Sequence, residues 1–498
     1  MIEQILAVII FIAMFIMIVL DKSDRYIPAM IGAGLVIIFV FLLCMRSIDA
    51  VTQTLNIGSI FHTAFWYNSA GTAETVAGVN WTTIIFIAGM MIMVEGMGES
   101  GFFRWLCLLI AKTVRYKTAP IFIIFAIMSA VLSMFIDSIT VLLFLAIVTI
   151  ELSRVLKFDP VPMIITEIFC ANLGGAATLC GDPPNIIIGT SLGLTFFDFA
   201  SNTGLIVVIC LAVIIPILYL CFRKSLNTKE VEPENKQSFK VLATYPPNFK
   251  GTIINYKFAS IFHNIKQGFS KRSNKEKEAV KDKINELIPR NAITNIVQFI
   301  ISMTIFLITV VLLITHASTG ISVASIGVIA AMLTLITARR EALKLIKKFD
   351  WKTILFFIGL FIVVGGLEQT HVLEMLAGII GKMCNGNIVL VIIIILWLSA
   401  IASAFVDNIP FAATMVPVIK NLAITQGFDL NILAWTLALG TDIGGNGTPI
   451  GASANVVGTA IAAKEGYNIS WGKFCKYAAP ASAVTLLICM VYLLLRYV

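Results

Sequence analysis

Charge is scarce in this sequence: Asp, Glu, Lys and Arg make up 13% of its 498 residues, against 58% hydrophobic residues. That ratio excludes a soluble fold, which would need an interior larger than any single globular core provides. Histidine is rare, at four residues, and the nine cysteines (Cys44, Cys107, Cys170, Cys180, Cys210, Cys221, Cys384, Cys475 and Cys489) show no CxxC or Cys/His spacing. Zinc sites and redox pairs are therefore not expected, and the cysteines read as small packing residues. Cys180 alone stands out, because it falls in the most unusual loop of the chain. No Gly-rich phosphate loop, catalytic triad or other enzyme motif is present, so an enzyme is not expected. The formal net charge of +8 does not point to nucleic acid, because in a membrane protein the position of Lys and Arg matters more than their sum.

What the sequence has instead is length of apolar chain. Runs at 5–20, 27–43, 205–222, 296–314 and 479–495 each suffice to cross about 30 Å of hydrocarbon as a helix. The first is expected to remain as a span, since its leader carries Glu3 rather than basic residues and no small-residue cleavage site follows. One segment is different. From 223 to 292 the chain is polar and rich in Lys and Arg interleaved with acids, and it reads as a solvated cytoplasmic linker; a helix at 270–287 touching anionic lipid is the alternative.

The chain also repeats. Residues 81–185 align without a gap on 351–455, at an offset of 270 residues. Trp81 pairs with Trp351, Gly89 with Gly359, Ser133 with Ser403, Asp137 with Asp407, Gly174-Gly175 with Gly444-Gly445, Thr178 with Thr448 and Asn185 with Asn455. Agreement at so many Gly, Trp, Asp and Asn positions marks an internal duplication. With the linker in the cytoplasm, the segments 21–25, 104–117, 154–157, 339–348 and 464–476 fall on the same side, and all carry Lys or Arg. This layout inverts one half relative to the other and leaves both termini outside an inner cell membrane.

Two places in each half resist a continuous span. The apolar pairs at 119–153 and 388–423 meet at Phe135-Ile136-Asp137-Ser138-Ile139-Thr140 and at Phe405-Val406-Asp407-Asn408-Ile409-Pro410. Each reads as a re-entrant hairpin with Asp at its tip. The helices at 161–193 and 431–464 pass through Gly174-Gly175 to Pro183-Pro184-Asn185 and through Gly444-Gly445 to Ser453-Ala454-Asn455, where Gly and Pro should unwind them. Unwound backbone at that depth must be buried in protein or line a watery cavity, where its carbonyls can ligate a cation and each following helix N-terminus can meet an anion. The resulting organisation is 1–80 scaffold, 81–222 first repeat, 223–292 linker, 293–350 scaffold, and 351–498 second repeat with the last span.

The expected fold is an all-α polytopic membrane protein with inverted repeats, two re-entrant hairpins and two broken helices. The expected substrate and ion site comprises Asp137, Ser138, Thr140, Asn172, Gly175, Thr178, Asp182 and Asn185 in one half. Asp407, Asn408, Asp442, Gly445, Thr448, Ser453 and Asn455 are its members in the other. Intramembrane Asp is costly; the plain alternative is that each Asp caps a helix, which is compatible with ligation. The symmetry fails where Asp182 faces Ala452 and Asp442 faces Asn172 across the alignment, so the two sites are expected to differ in charge. Glu95, Glu167 and Glu368 are expected near the membrane interface, and His371 in solvent. The stretches 102–114 and 372–383 are expected to lie along the membrane surface.

These motifs resemble the ArsB/NhaD permeases of the ion transporter superfamily, and within them the bacterial permeases similar to melanosomal P protein. The resemblance implies an elevator-type secondary transporter, usually a homodimer, coupled to H+ or Na+, with sodium possible near Asp137, Asp182, Asn185, Asp407 and Asn455. Related sodium/dicarboxylate carriers place Ser-Asn-Thr at both hairpin tips; the extra carboxylates Asp137 and Asp407 here disfavour a multiply charged anion. The expectation is transport of a small ion or oxyanion, arsenite-like efflux being the most concrete version. Sodium/proton antiport, sodium-coupled carboxylate transport and an anion channel on the same fold are the alternatives.

Overall fold

The computed structural model describes residues 1–20, 23–67, 78–226 and 288–498. Among them every regular element is helical, apart from one antiparallel bridge between Tyr67 and Ile321. Eight helices among the described residues are long and apolar enough to cross a membrane, beginning with Tyr26–Met45 and ending with Trp471–Tyr497. Most of the 223–292 linker, including the stretch at 270–287, lies outside the described residues. Its final residues form the turn Pro289–Ala292, which packs on the helix Phe102–Thr113.

The helices exchange partners between the two halves. Trp81–Glu99 packs on Val323–Ala338, and Trp351–Gln369 packs on Tyr26–Leu35. Each repeat thus opens with a helix whose main neighbour comes from the scaffold of the opposite half. The approach is close because glycines line it: a β-carbon on Gly89 would stand 2.1 Å from the Gly327 carbonyl oxygen, and one on Gly359 would stand 2.6 Å from the Ala29 carbonyl carbon. Small residues allow such backbone contact between membrane helices. These four helices form a frame.

Beside these helices stand two helical hairpins, Thr118–Ser133 with Ser138–Leu156 and Ile388–Phe405 with Asn408–Gln426. The helix Val161–Gly175 packs on the first arm of its hairpin, and Leu430–Gly445 packs likewise in the second half. Both are interrupted as the Gly and Pro content predicts, then resume as Pro183–Leu192 and Ser453–Lys464. The resumed helices cross over: Pro183–Leu192 packs on Asn408–Gln426, and Ser453–Lys464 on Ser138–Leu156. Each half therefore completes the other. The last helix of the first half, Leu205–Leu226, meets Trp471–Tyr497 of the second, with the Cys210 and Cys489 sulfurs 3.8 Å apart.

Every residue of Val161–Gly175 is buried, which overturns one expectation. Glu167 sits in the middle of that helix and is fully buried rather than interfacial, with Oε1 accepting from the Thr149 hydroxyl at 2.6 Å. His371 is exposed, as expected, and pairs with Glu374 at 2.8 Å.

The glycine contacts carry a testable consequence. G89V should lower the thermal stability of the purified protein by about 1–3 kcal/mol or more, the range for forcing extra carbons into a packed interior. G34A should cost nothing, because a β-carbon on Gly34 meets nothing within 4 Å. Thermal unfolding in detergent checks both.

Candidate functional site

Asp137 and Asp407 begin as helix caps. Each stands at the N-terminus of the second arm of its hairpin, where four backbone N–H groups lack partners within the helix. Asp137 accepts from the Ile139 N–H at 2.9 Å and from the Thr140 hydroxyl; Asp407 accepts from the Ile409 N–H at 3.2 Å. The capping alternative is therefore correct as far as it goes, and what differs is the use of the remaining oxygens. Asp407 also accepts from the Ser453 hydroxyl at 2.6 Å and from the Arg25 guanidinium, whereas Asp137 faces a cavity.

Asp182 occupies the cap position of Pro183–Leu192 yet caps nothing with its side chain. The two prolines that follow have no N–H to offer, so the carboxylate is free to reach across. It accepts from Ser138 Oγ at 2.7 Å and from Asn408 Nδ2 at 3.1 Å. Ser138 and Asn408 are equivalent positions of the two repeats. The hairpin tips thus converge on a single carboxylate, which is 3% exposed.

The unwound segments are braced by asparagine. Asn185 Nδ2 donates to the carbonyls of Gly175 and Thr178 at 3.0 and 3.1 Å, and Asn455 Nδ2 donates to those of Gly445 and Thr448 at 2.7 Å each. The Thr178 and Thr448 hydroxyls bond the Met134 and Ala404 carbonyls in the hairpin turns. Gly175 and Gly445 serve packing: a β-carbon on either would meet the loop at 3.0–3.1 Å. Two of the carbonyls freed in each break, those of Gly175 and Thr178 and of Gly445 and Thr448, thus already accept from an amide.

With Nδ2 committed, each asparagine must present Oδ1 toward the helix that precedes the break in the opposite half. Asn455 Oδ1 accepts from Asn172 Nδ2 at 2.7 Å, and the same amide group donates to Asn446 Oδ1 at 2.9 Å. In the mirrored place Asp442 stands opposite Asn185. Among the described residues, Asn185 Oδ1 and both oxygens of the fully buried Asp442 have no hydrogen-bond partner of good geometry, although the Asn185 and Asn408 side chains both lie beside that carboxylate.

A cavity of ≈ 650 Å³ lies between the frame and the hairpins, lined by Phe86, Met90, Phe356, Asp137, Thr140 and Cys180 among others, with exposed Asp24 and Asp350 at its rim. The candidate set thereby divides. Asp137, Thr140 and Ser453 line the cavity, while Ser138, Asn172, Asp182, Asn185, Asn408, Asp442 and Asn455 form the buried network behind it. Among the described residues no cluster of three or more His, Cys, Asp or Glu is arranged to hold a metal ion. Two participants escape a sequence reading: Arg25, which looks like part of a short basic turn between spans, and Asn446, which has no counterpart because Ala176 occupies the mirrored position.

If the asparagine braces hold the breaks, N185A and N455A should each destabilise the protein. Two buried carbonyls would lose their donors, at about 1–3 kcal/mol apiece. Thermal unfolding should give losses of similar size for both; an unchanged midpoint in either would contradict the bracing role.

Residues 12–440 match the model of a family described as citrate transporter. An uncharacterized transporter of Mycobacterium bovis is 30% identical over 99% of both chains, and P protein of Mus musculus is 30% identical over 99% of this chain and 60% of its own length. Among solved structures, MtrF of Neisseria gonorrhoeae is similar in fold, with a TM-score of 0.50 over 95% of this chain and 93% of that one at 12% identity. A family match over most of the length, joined to full-length relatives that are transporters, places the protein: it is a membrane transporter and belongs to the citrate transporter family.

Proposed function

We propose that this chain is a proton-coupled secondary transporter of a small, uncharged or weakly charged solute, with arsenite-type oxyanion efflux the most concrete case, as in the ArsB/NhaD permeases. Its hairpins and broken helices would move as an elevator against the frame of Tyr26–Leu35, Trp81–Glu99, Val323–Ala338 and Trp351–Gln369. The observation that carries the reading is the mismatch at Asp442. Asn172 completes its bond to Asn455 with an amide hydrogen; Asp442 can complete the mirrored bond to Asn185 Oδ1 only as a protonated carboxyl group. One half is thus closed by a permanent amide and the other by a removable proton.

The charge inventory supports a weakly charged cargo. Asp137, Asp182, Asp407 and Asp442 lie in the site region, and among the described residues a cation pairs with one of them, Arg25 with Asp407. A multiply charged anion would meet net negative potential there. Sodium/proton antiport has one specific observation in its favour: among the described residues, Asp137 faces the cavity with bonds only from its own helix start. With the basic loops inside, the cavity rim at Asp24 and Asp350 lies on the cytoplasmic side.

Proteoliposomes enclosing a pH dye test the assignment. Arsenite gradients should drive proton movement in the wild type, and D442N should cut that movement at least tenfold while arsenite exchange persists, because Asn supplies the missing hydrogen permanently. Proton movement driven by sodium without any oxyanion would favour antiport. Full proton coupling in D442N would end the assignment of the proton to Asp442.

A further inference from the structure

Arg25 breaks the symmetry of the hairpin tips in a way that neither the fold nor the proton at Asp442 requires. It stands immediately before the frame helix Tyr26–Leu35, which is packed on Trp351–Gln369. Its guanidinium leaves the frame and enters the second hairpin tip, where Nη1 bonds Asp407 Oδ2 and donates to Ser453 Oγ at 2.6 Å. Ser453 in turn donates to the same Asp407 oxygen at 2.6 Å. One atom of a frame residue, one hydroxyl of the resumed helix and one carboxylate of the hairpin close a three-membered network. The arginine side chain is 23% exposed and the aspartate 2%.

Among the described residues nothing equivalent exists at the first tip. Asp137 is bonded by Thr140 and its own backbone, and the position matching Ser453 is Pro183, which has no hydroxyl. The frame helix that mirrors Tyr26–Leu35 is Val323–Ala338, and it is preceded by Ile321 and Ser322 rather than a base. The contact is one-sided by construction. Guanidinium is also the side chain suited to it, because it keeps its charge in partly buried surroundings and presents several donors in a rigid plane.

We propose that the Arg25 guanidinium is a tethered counter-cation of the second hairpin tip. It fills the position at Asp407 and Ser453 that an external cation would otherwise take, and it latches the moving hairpin to the frame in the conformation seen here. Release of Asp407 from Arg25 is then a required step whenever the hairpin moves, and the first tip, with Asp137 open to the cavity, is the tip left for ions from solution. The proposal rests on the transporter reading for what the motion accomplishes, but it can be measured without transport.

Cys180 lines the cavity and reports the latched conformation. In membrane vesicles, protein that keeps Cys180 and carries Ala at the other eight cysteines is labelled with N-ethylmaleimide. R25Q alone leaves a buried carboxylate without its counter-charge and could fail to fold, so R25Q/D407N and S453A accompany it. Labelling of Cys180 should slow at least threefold in R25Q/D407N and by a smaller factor in S453A. Unchanged rates in both would overturn the latch. Replacing choline chloride by sodium chloride should alter the rate in R25Q, where Asp407 is uncovered, and leave the wild type unaffected at that site. If R25Q does not fold in choline chloride, preparation in sodium chloride should restore the folded protein, and failure in both salts would overturn the counter-cation role. Equal sodium effects with and without Arg25 would overturn the counter-cation role. A labelling change in a protein that moves no protons with any solute would keep the latch and reject the proposed function; the reverse pattern would reject the latch alone.

Discussion

An interrupted helix within a membrane exposes carbonyls that no water can satisfy, and the centre of this protein is organised around meeting that constraint. Asn185 and Asn455 meet it with the same two bonds each. Because those bonds use the amide hydrogens, the orientation of both side chains is set, and each must turn its oxygen to the opposite half. Whatever stands there meets an acceptor. Asn172 donates to it in one half; Asp442 occupies the corresponding place in the other. Backbone accounting at a loop therefore leads directly to a statement about a proton.

The same logic runs through the hairpins. Asp137 and Asp407 answer orphan N–H groups at helix starts, while the prolines after Asp182 remove the donors that would have held it locally. Freed in this way, Asp182 links Ser138 of one repeat to Asn408 of the other. Duplication has produced two copies of one device, and small differences between the copies, Pro183 against Ser453 and Asn172 against Asp442, give them different hydrogen-bonding partners. Glycine then makes the arrangement compact: the frame helices touch backbone to backbone at Gly89 and Gly327.

Much of this was legible in the sequence because the fixed offset of 270 residues made every special residue appear twice. The helical class, the hairpin turns at Asp137 and Asp407 and the breaks at the Gly and Pro runs follow from local chemistry. The division of the candidate residues into cavity wall and buried network did not, since it depends on the cross-over of the resumed helices between halves. Glu167 was misplaced for a related reason: the sequence puts it near the end of an apolar run, and only the packing of the helix 161–175 on all sides shows that it is buried. Arg25 was invisible because a base between two spans ordinarily marks a loop, and its partner lies 382 residues away.

The proposed function turns on whether Asp442 carries a proton shared with Asn185. Infrared difference spectroscopy of the reconstituted protein, wild type against D442N, measures this directly through the carbonyl stretch of a protonated carboxyl group. The account predicts such a band in the wild type at neutral pH, shifted in deuterium oxide and missing from D442N. Identical spectra in that region for the two proteins would contradict it.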